Sequence, residues 1–181
     1  MSFFDPNSIN DRAPAWVAGL LFEEIFFGID NFPDKSQGEC LGIEHGLQLA
    51  KKYKPSSWWP RNPPRKGIAR TLFDAVKKRV KEAEPAGTLY MYPCVGTPAD
   101  GRLGIDGYFC LRLEGAEKVS VVTFDVTLMA SKEFRAHILI PSWTLETQAR
   151  VNHHAAEIAS RLVHSKNSFR LFRVRNPSYQ Q

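Results

Sequence analysis

Residues 105–130, IDGYFCLRLEGAEKVSVVTFDVTLMA, decide the fold class of this chain. Residues 105–113 and 118–130 are rich in β-branched and aromatic side chains, which predicts two strands. Between them, residues 114–117 (EGAE) predict a tight turn. Consecutive strands joined by such a turn pair as an antiparallel hairpin. We therefore expect a sheet built around this hairpin.

Further regular elements are predicted on both sides of the hairpin. Before it, the patterns predict helices over residues 13–29, 39–52 and 70–84, a strand over 88–94 and a turn-rich loop over 95–104. After it, they predict a strand over 134–140, a helix over 144–163 and a last strand over 168–175. This order indicates an α/β fold, with α+β as the alternative. The expected architecture is a central mixed sheet flanked by helices.

The length and the cysteine content limit the class of protein. A chain of 181 residues suits a single domain, residues 1–181, with an irregular lead-in over residues 1–12. Its three cysteines are far apart and form no CxxC pair, which argues against a zinc ribbon and a secreted disulfide framework. Nucleotide-binding loops and the common hydrolase motifs do not occur. A reducing, cytoplasmic or nucleoid-associated location is expected.

No membrane partner is expected from the apolar pattern. The longest apolar stretch, residues 16–29, is interrupted by Glu23 and Glu24 and is too short to cross a bilayer. The first residues are acidic and polar and lack the basic start of a signal peptide.

The net charge of +5 is distributed very unevenly along the chain. Residues 1–50 hold two basic and eight acidic residues, a net charge of −6. Residues 51–81 hold eleven basic residues and one acidic residue, a net charge of +10, and residues 82–181 carry +1. So basic a segment suggests a contact surface for phosphates, and a solvated basic helix face is the alternative.

Two acids occupy the predicted hairpin, where a desolvated carboxylate is costly without partners. Asp106 begins the first strand and Asp125 lies within the second, each about nine residues from the turn centre, so antiparallel pairing brings them opposite each other. Facing carboxylates repel unless a cation lies between them, and such oxygen ligands suit Mg²⁺ or Mn²⁺. Alternatively, Asp106 caps a loop before Gly107, and Asp125 pairs with a buried arginine.

An acid in the context GIDGYF, a hairpin and a second acid in a hydrophobic strand resemble the PD-(D/E)xK restriction-endonuclease-like superfamily. The resemblance covers roughly residues 13–130 and implies a restriction-endonuclease-like fold with metal-dependent hydrolysis of phosphodiester bonds. It implies that Asp106 and Asp125 are catalytic and bind Mg²⁺ or Mn²⁺. It also implies that the first helix supplies metal ligands from Glu23 and Glu24, with Glu24 assisting catalysis. The solvent-facing side of an apolar helix is the alternative for both glutamates.

The chain departs from the family pattern at one position. The lysine expected two residues after Asp125 is replaced by Thr127. Lys132, or Lys118 as the weaker candidate, is expected to act as the catalytic lysine if the strand ends near Ser131 and the chain turns there. Without such a lysine, the resemblance implies an inactive fold that only binds nucleic acid.

The basic segment also contains adjacent tryptophans in a proline-rich stretch, residues 53–67 (YKPSSWWPRNPPRKG), which predicts a long loop. Trp58 and Trp59 are expected to stack on bases while lysines and arginines follow the phosphates. The alternative is that both tryptophans anchor the loop on the core. The predicted nucleic-acid contacts are Lys51, Lys52, Lys54, Trp58, Trp59, Arg61, Arg65, Lys66, Arg70, Lys77, Lys78 and Lys81.

Three functions are compatible with these patterns. The first is a Mg²⁺-dependent endonuclease or exonuclease acting on DNA, with RNA as a second substrate class. The second is a catalytically inactive nucleic-acid-binding or complex-assembly protein on the same fold. The third is a protein-interaction module such as an inhibitor or a complex subunit. A homodimer and a subunit of a larger nucleoprotein complex are the assemblies that fit the first two functions.

Overall fold

The fold is described for residues 15–32, 34–35, 37–117, 119–128, 136–164 and 168–169 in a computed structural model. The helices in these ranges are α1 (Ala15–Phe27), α2 (Ile43–Tyr53), α3 (Ile68–Ala83), α4 (Pro98–Leu103) and α5 (Gln148–His164), with a 3-10 helix over Ser142–Leu145. The strands are β1 (Thr88–Pro93), β2 (Gly107–Arg112), β3 (Val119–Thr127), β4 (Ile138–Pro141) and β5 (Ser168–Phe169).

The strands form one mixed sheet in the order β1-β2-β3-β4. β2 is antiparallel to both β1 and β3, β4 is parallel to β3, and the two-residue β5 pairs with β3. The predicted hairpin is confirmed as β2 and β3, in register from Gly107 opposite Phe124 to Arg112 opposite Val119. A mixed sheet with flanking helices confirms the α/β or α+β class.

Both faces of the sheet are buried because side chains alternate between two cores. One core joins β1, β2 and β3 to α1, α3 and α5. The other joins the opposite strand faces to α2 and α4, and here the Tyr108 hydroxyl donates a hydrogen bond to the Leu47 carbonyl oxygen of α2 at 3.2 Å. The rings of Tyr92 and Tyr108 stack at 5.0 Å between centroids on this second face. The sheet therefore separates α2 from α3, although the two helices are neighbours in the chain.

The helices differ from the predicted ones in their exact ends, in the burial of α1 and in the presence of α4. α1 is less completely buried than its composition predicts, because Leu21 and Ile25 stay about two-fifths exposed while Phe22 and Phe26 are buried. α4 lies inside the segment predicted as a loop, between Pro98 at its first turn and a left-handed Gly104 at φ 61° that ends it. The predicted last strand is described only at Ser168–Phe169, and the lead-in over residues 1–12 lies outside the described residues.

A close backbone contact joins the end of α1 to the start of α3. Gly28 has φ +66°, and a Cβ built on Gly67 would lie 2.5 Å from the Gly28 nitrogen and from the Phe26 carbonyl oxygen. Only a residue without a side chain at position 67 lets the two backbones approach this closely.

None of the described helices has the length and apolar character needed to cross a bilayer.

Candidate functional site

The two hairpin acids lie side by side where β2 begins and β3 ends. Asp106 directly precedes Gly107, and Asp125 directly follows Phe124, the residue paired with Gly107. Asp106 is 3% exposed and Asp125 is fully buried. The symmetry of the sequence about the turn therefore located the two acids correctly.

Hydrogen bonds fix the position of Asp106. Its carboxylate oxygen Oδ2 accepts a bond from the Val126 backbone N–H at 2.7 Å. Its own backbone N–H donates to the Phe124 carbonyl oxygen at 3.1 Å, and its carbonyl oxygen accepts from the Cys94 N–H at 2.6 Å. Asp106 is thus a buried part of the sheet end rather than the cap of an exposed loop.

Burial and neighbouring acids make the ionised form of Asp106 unfavourable. Burial raises the pKa of Asp106 well above its ordinary value, and the negative charges of Glu23, Asp125 and Asp100 raise it further. The Val126 N–H bond acts in the opposite direction and lowers this pKa. Carboxylates that share a site in this way cannot all ionise without a cation.

The structure distinguishes between the two helix glutamates. Glu23 in α1 is the acid whose charge acts most strongly on Asp106, ahead of Asp125. Glu24 is half-buried, and its carbonyl oxygen accepts the bonds from the Gly28 and Ile29 N–H groups that end the helix. Of the two glutamates, Glu23 is therefore the one that approaches the hairpin acids.

The position of the catalytic lysine that the resemblance implies concerns three residues in and around β3. Thr127, where the resemblance implies a lysine, is 6% exposed and lies in β3 opposite Pro141 of β4. Lys132 and Lys118, the two candidates for a relocated lysine, both lie outside the described residues. Both candidates stay predictions.

Asp100 belongs to the same electrostatic group and was missed by the sequence reasoning. Its carboxylate accepts a bond from the Gly96 N–H at 2.9 Å, and its charge raises the pKa of Asp106 and of the buried Cys94 thiol. The Pro-Ala-Asp sequence at the start of α4, with an acid in the first turn of a helix, was the available signal.

The donor set of this site consists of oxygen atoms. Within the described ranges, no three side chains of His, Cys, Asp or Glu are grouped so as to hold a metal ion. A Mg²⁺ ion commonly takes only one or two carboxylates from a protein, with waters and substrate phosphates as its other ligands. Asp106 and Asp125 fit that requirement by their chemistry, and a cation there would relieve the repulsion that raises the Asp106 pKa.

Two histidines near the two ends of β4, His137 just before it and His154 in α5, have lowered pKa values. The Nδ1 atom of His137 accepts the Thr123 N–H at 3.0 Å, and burial together with the charge of Arg161 lowers the His137 pKa. Buried His154 has its Nε2 atom 2.6 Å from the Thr144 hydroxyl, which itself donates to the Pro141 carbonyl oxygen. Burial, followed by the charge of His153, lowers the His154 pKa.

The predicted nucleic-acid surface does not form one patch. Because α2 and α3 cover opposite faces of the sheet, Lys51 and Lys52 of α2 are separated from Lys77, Lys78 and Lys81 of α3. The basic residues of segment 51–81 therefore lie on two faces, because proximity in the chain does not keep two helices on the same side. Phosphate binding by either group stays a prediction.

The two adjacent tryptophans have opposite environments. Trp58 is 1% exposed, its Nε1 donates to the Met91 carbonyl oxygen at 2.7 Å, and its ring meets the Phe27 ring edge-on at 5.7 Å. The prediction that Trp58 stacks on bases is therefore corrected, and the alternative of a core anchor holds for it. Trp59 is 69% exposed.

Several predicted basic contacts have partners within the chain. The Arg70 guanidinium donates to Asp74 at 2.7 Å and to the Asn62 side chain and the Pro63 carbonyl oxygen, so it holds the loop in place. Lys54 donates to the Trp58 carbonyl oxygen, Lys66 meets Asp30 at 3.5 Å and Lys81 donates to the Pro85 carbonyl oxygen. The remaining basic residues of the set are the half-buried Lys51 and the exposed Lys52, Arg61, Arg65, Lys77 and Lys78.

Comparisons with known proteins add no relative to these observations. No protein-family profile, curated protein or solved structure matches the chain.

Proposed function

We propose that the protein is a metal-dependent nuclease with a restriction-endonuclease-like fold, acting on phosphodiester bonds of DNA. The observation that carries the proposal is the meeting of Asp106 and Asp125 at one end of the β2–β3 hairpin, with the charge of Glu23 close enough to act on Asp106. This arrangement matches the acids that the superfamily resemblance requires and the elements on which it requires them.

The residues that would hold Mg²⁺ or Mn²⁺ are Asp106 and Asp125, with Glu23 beside them. The ion would supply a water of lowered pKa and positive charge for the scissile phosphate. The chain itself contributes orientation, because the Val126 N–H donates a hydrogen bond that fixes the Asp106 carboxylate. It also contributes low polarity, since both hairpin acids are buried and a desolvated carboxylate interacts more strongly with a cation.

A cleavage assay with matched variants tests the proposal. Plasmid and single-stranded DNA are incubated with the wild type, D106N, D125N and E114Q, in Mg²⁺, in Mn²⁺ and in EDTA. We expect metal-dependent cleavage by the wild type and by E114Q, a change in the exposed turn at the other end of the hairpin, and none by the other two. Cleavage that persists in EDTA, or in both hairpin variants, contradicts the proposal.

A thermal measurement supplies a readout that does not depend on turnover. A ligand that binds only the folded state raises its stability by RT ln(1 + [L]/Kd). We expect 10 mM Mg²⁺ to raise the melting temperature of the wild type and to leave that of D106N unchanged. Equal shifts in both proteins count against a metal at Asp106.

A specific observation favours a second candidate function, nucleic-acid binding without catalysis. Thr127 stands where the resemblance implies lysine, and both Thr127 and Asp125 are buried in β3. On this alternative, the protein binds DNA in EDTA as well as in Mg²⁺ and never cleaves it. The two assays above separate the candidates.

A further inference from the structure

We infer that the substrate of the proposed site is a single-stranded or unpaired segment of nucleic acid, one base of which stacks on Trp59. This inference rests on the proposed function, because the bound strand is expected to reach the carboxylates of Asp106 and Asp125. The contacts with the nucleic acid come from the loop formed by residues 58–66, named the Trp59 loop.

The exposure of Trp59 is imposed by a fixed backbone. On one side of it, the Trp58 ring is anchored to the Met91 carbonyl oxygen at 2.7 Å. On the other side, the Pro60 carbonyl oxygen accepts the Met91 N–H at 2.9 Å, and the Asn62 N–H closes a turn onto the Trp59 carbonyl oxygen at 2.8 Å. A ring held out in solvent by a rigid loop loses little conformational entropy when a flat partner stacks on it.

The charges around Trp59 select an anionic partner. Arg61 and Arg65 are exposed in the same loop, whereas Lys66 already meets Asp30 and Arg70 meets Asp74. An aromatic face in the same loop as two exposed guanidinium groups offers stacking for a base and ion pairs for the neighbouring phosphates. In a duplex the bases are already stacked on one another, so this combination favours a single strand.

The Trp59 loop is hydrogen-bonded to β1, the neighbour of the strand that Asp106 precedes. Met91, to which the loop is bonded, pairs with Phe109, and Asp106 lies three residues from Phe109, about 10 Å along the strand. α3 begins beside the end of α1 and runs toward the start of β1. Lys77 therefore lies about 14 Å further along the helix from Ile68.

The test measures binding in EDTA, so that it is independent of catalysis. A labelled single-stranded oligonucleotide and a duplex of the same sequence are titrated at several KCl concentrations with the wild type, W59A and W59F. We expect tighter binding of the single strand, a loss of about 5- to 150-fold in W59A and retention of most affinity in W59F, since phenylalanine still offers a ring. A duplex preference, or unchanged affinity in W59A, overturns the inference.

Two double variants with the same change in charge locate the phosphate contacts. Loss of two phosphate contacts to a single strand lowers the slope of log affinity against log salt by about 1.4. We expect R61Q/R65Q to show this decrease and K77Q/K78Q to show a smaller one; the reverse order overturns the inference. Trp59-dependent binding by a protein that cleaves nothing leaves the inference standing and removes the proposed nuclease function. Metal-dependent cleavage with no effect of W59A does the opposite.

Discussion

Replacing Asp106 by asparagine is expected to stabilise the protein at neutral pH while removing a ligand from the proposed site. The wild-type carboxyl is buried beside the charges of Glu23 and Asp125, which together raise its pKa. The asparagine side chain keeps an oxygen for the Val126 N–H and carries no charge to desolvate. Functional sites that are assembled at the expense of stability commonly respond to substitution in this way.

The size of the gain has a ceiling, because a carboxyl that cannot stay ionised takes up a proton instead. Protonating Asp106 at pH 7, against its ordinary pKa of 3.8, would cost about 4 kcal/mol, which is the ceiling. The asparagine NH2 group brings buried donors that the site must satisfy, which gives back about 1–3 kcal/mol. We therefore expect a gain of about 1–3 kcal/mol in unfolding free energy, which is roughly 2–12 °C in melting temperature for a domain of this size.

The pH dependence identifies the cause. A group whose folded pKa is raised binds more protons in the folded state, so its contribution to stability falls as pH rises above the unfolded pKa. The advantage of D106N should therefore grow between pH 4 and pH 7 and vanish near pH 4, where the carboxyl is protonated in both states. Chemical denaturation at each pH measures it, with E114Q in the exposed β2–β3 turn as the control, expected within about 0.5 kcal/mol of wild type. A D106N protein less stable than wild type at pH 7, or a gain independent of pH, would refute the reasoning.

Three further predictions concern packing and titration. G67A should lose about 1–3 kcal/mol of unfolding free energy or more, because the new methyl group meets backbone atoms at the end of α1. G19A, whose added Cβ has open space, should be neutral or stabilising in the same denaturant titrations. W58A should lose about 3–5 kcal/mol of unfolding free energy and W59A less than about 0.5 kcal/mol; equal losses would contradict the assigned environments. The difference in unfolding free energy between wild type and H154Q should shrink from pH 7 to pH 5, by at most about 1.4 kcal/mol per pH unit. The reason is that the His154 side chain binds a proton more readily in the unfolded state than in the folded one; a difference that stays constant with pH would show that the imidazole titrates normally.

The hairpin and its acids could be predicted because they depend on local information. Antiparallel pairing across a short turn is fixed by counting residues from the turn, so the positions of Asp106 and Asp125 followed from the sequence. The short helix α4 was also within reach, since Pro98 at its start and Gly104 at its end are ordinary helix boundaries.

Other features depend on tertiary contacts that the sequence does not contain locally. Glu23 and Glu24 are adjacent on α1, and the rotation at which the helix docks decides which of them approaches the acids. Trp58 and Trp59 are likewise chemically identical neighbours, distinguished by tertiary contacts of Trp58 with Phe27 and with Met91, which is 33 residues away. The division of the basic segment between two faces follows from the sheet that passes between α2 and α3.

The bonds between the Trp59 loop and Met91 also bear on how the folded chains behave in concentrated solution. The outer side of β1 is a sheet edge, and exposed edges recruit strands from other molecules. Here the Met91 N–H and C=O groups are already used by the Pro60 carbonyl and the Trp58 ring. The covering segment is itself rich in proline, which has no N–H to offer to an incoming strand. The same loop that holds Trp59 out in solvent therefore protects this edge against edge-to-edge aggregation.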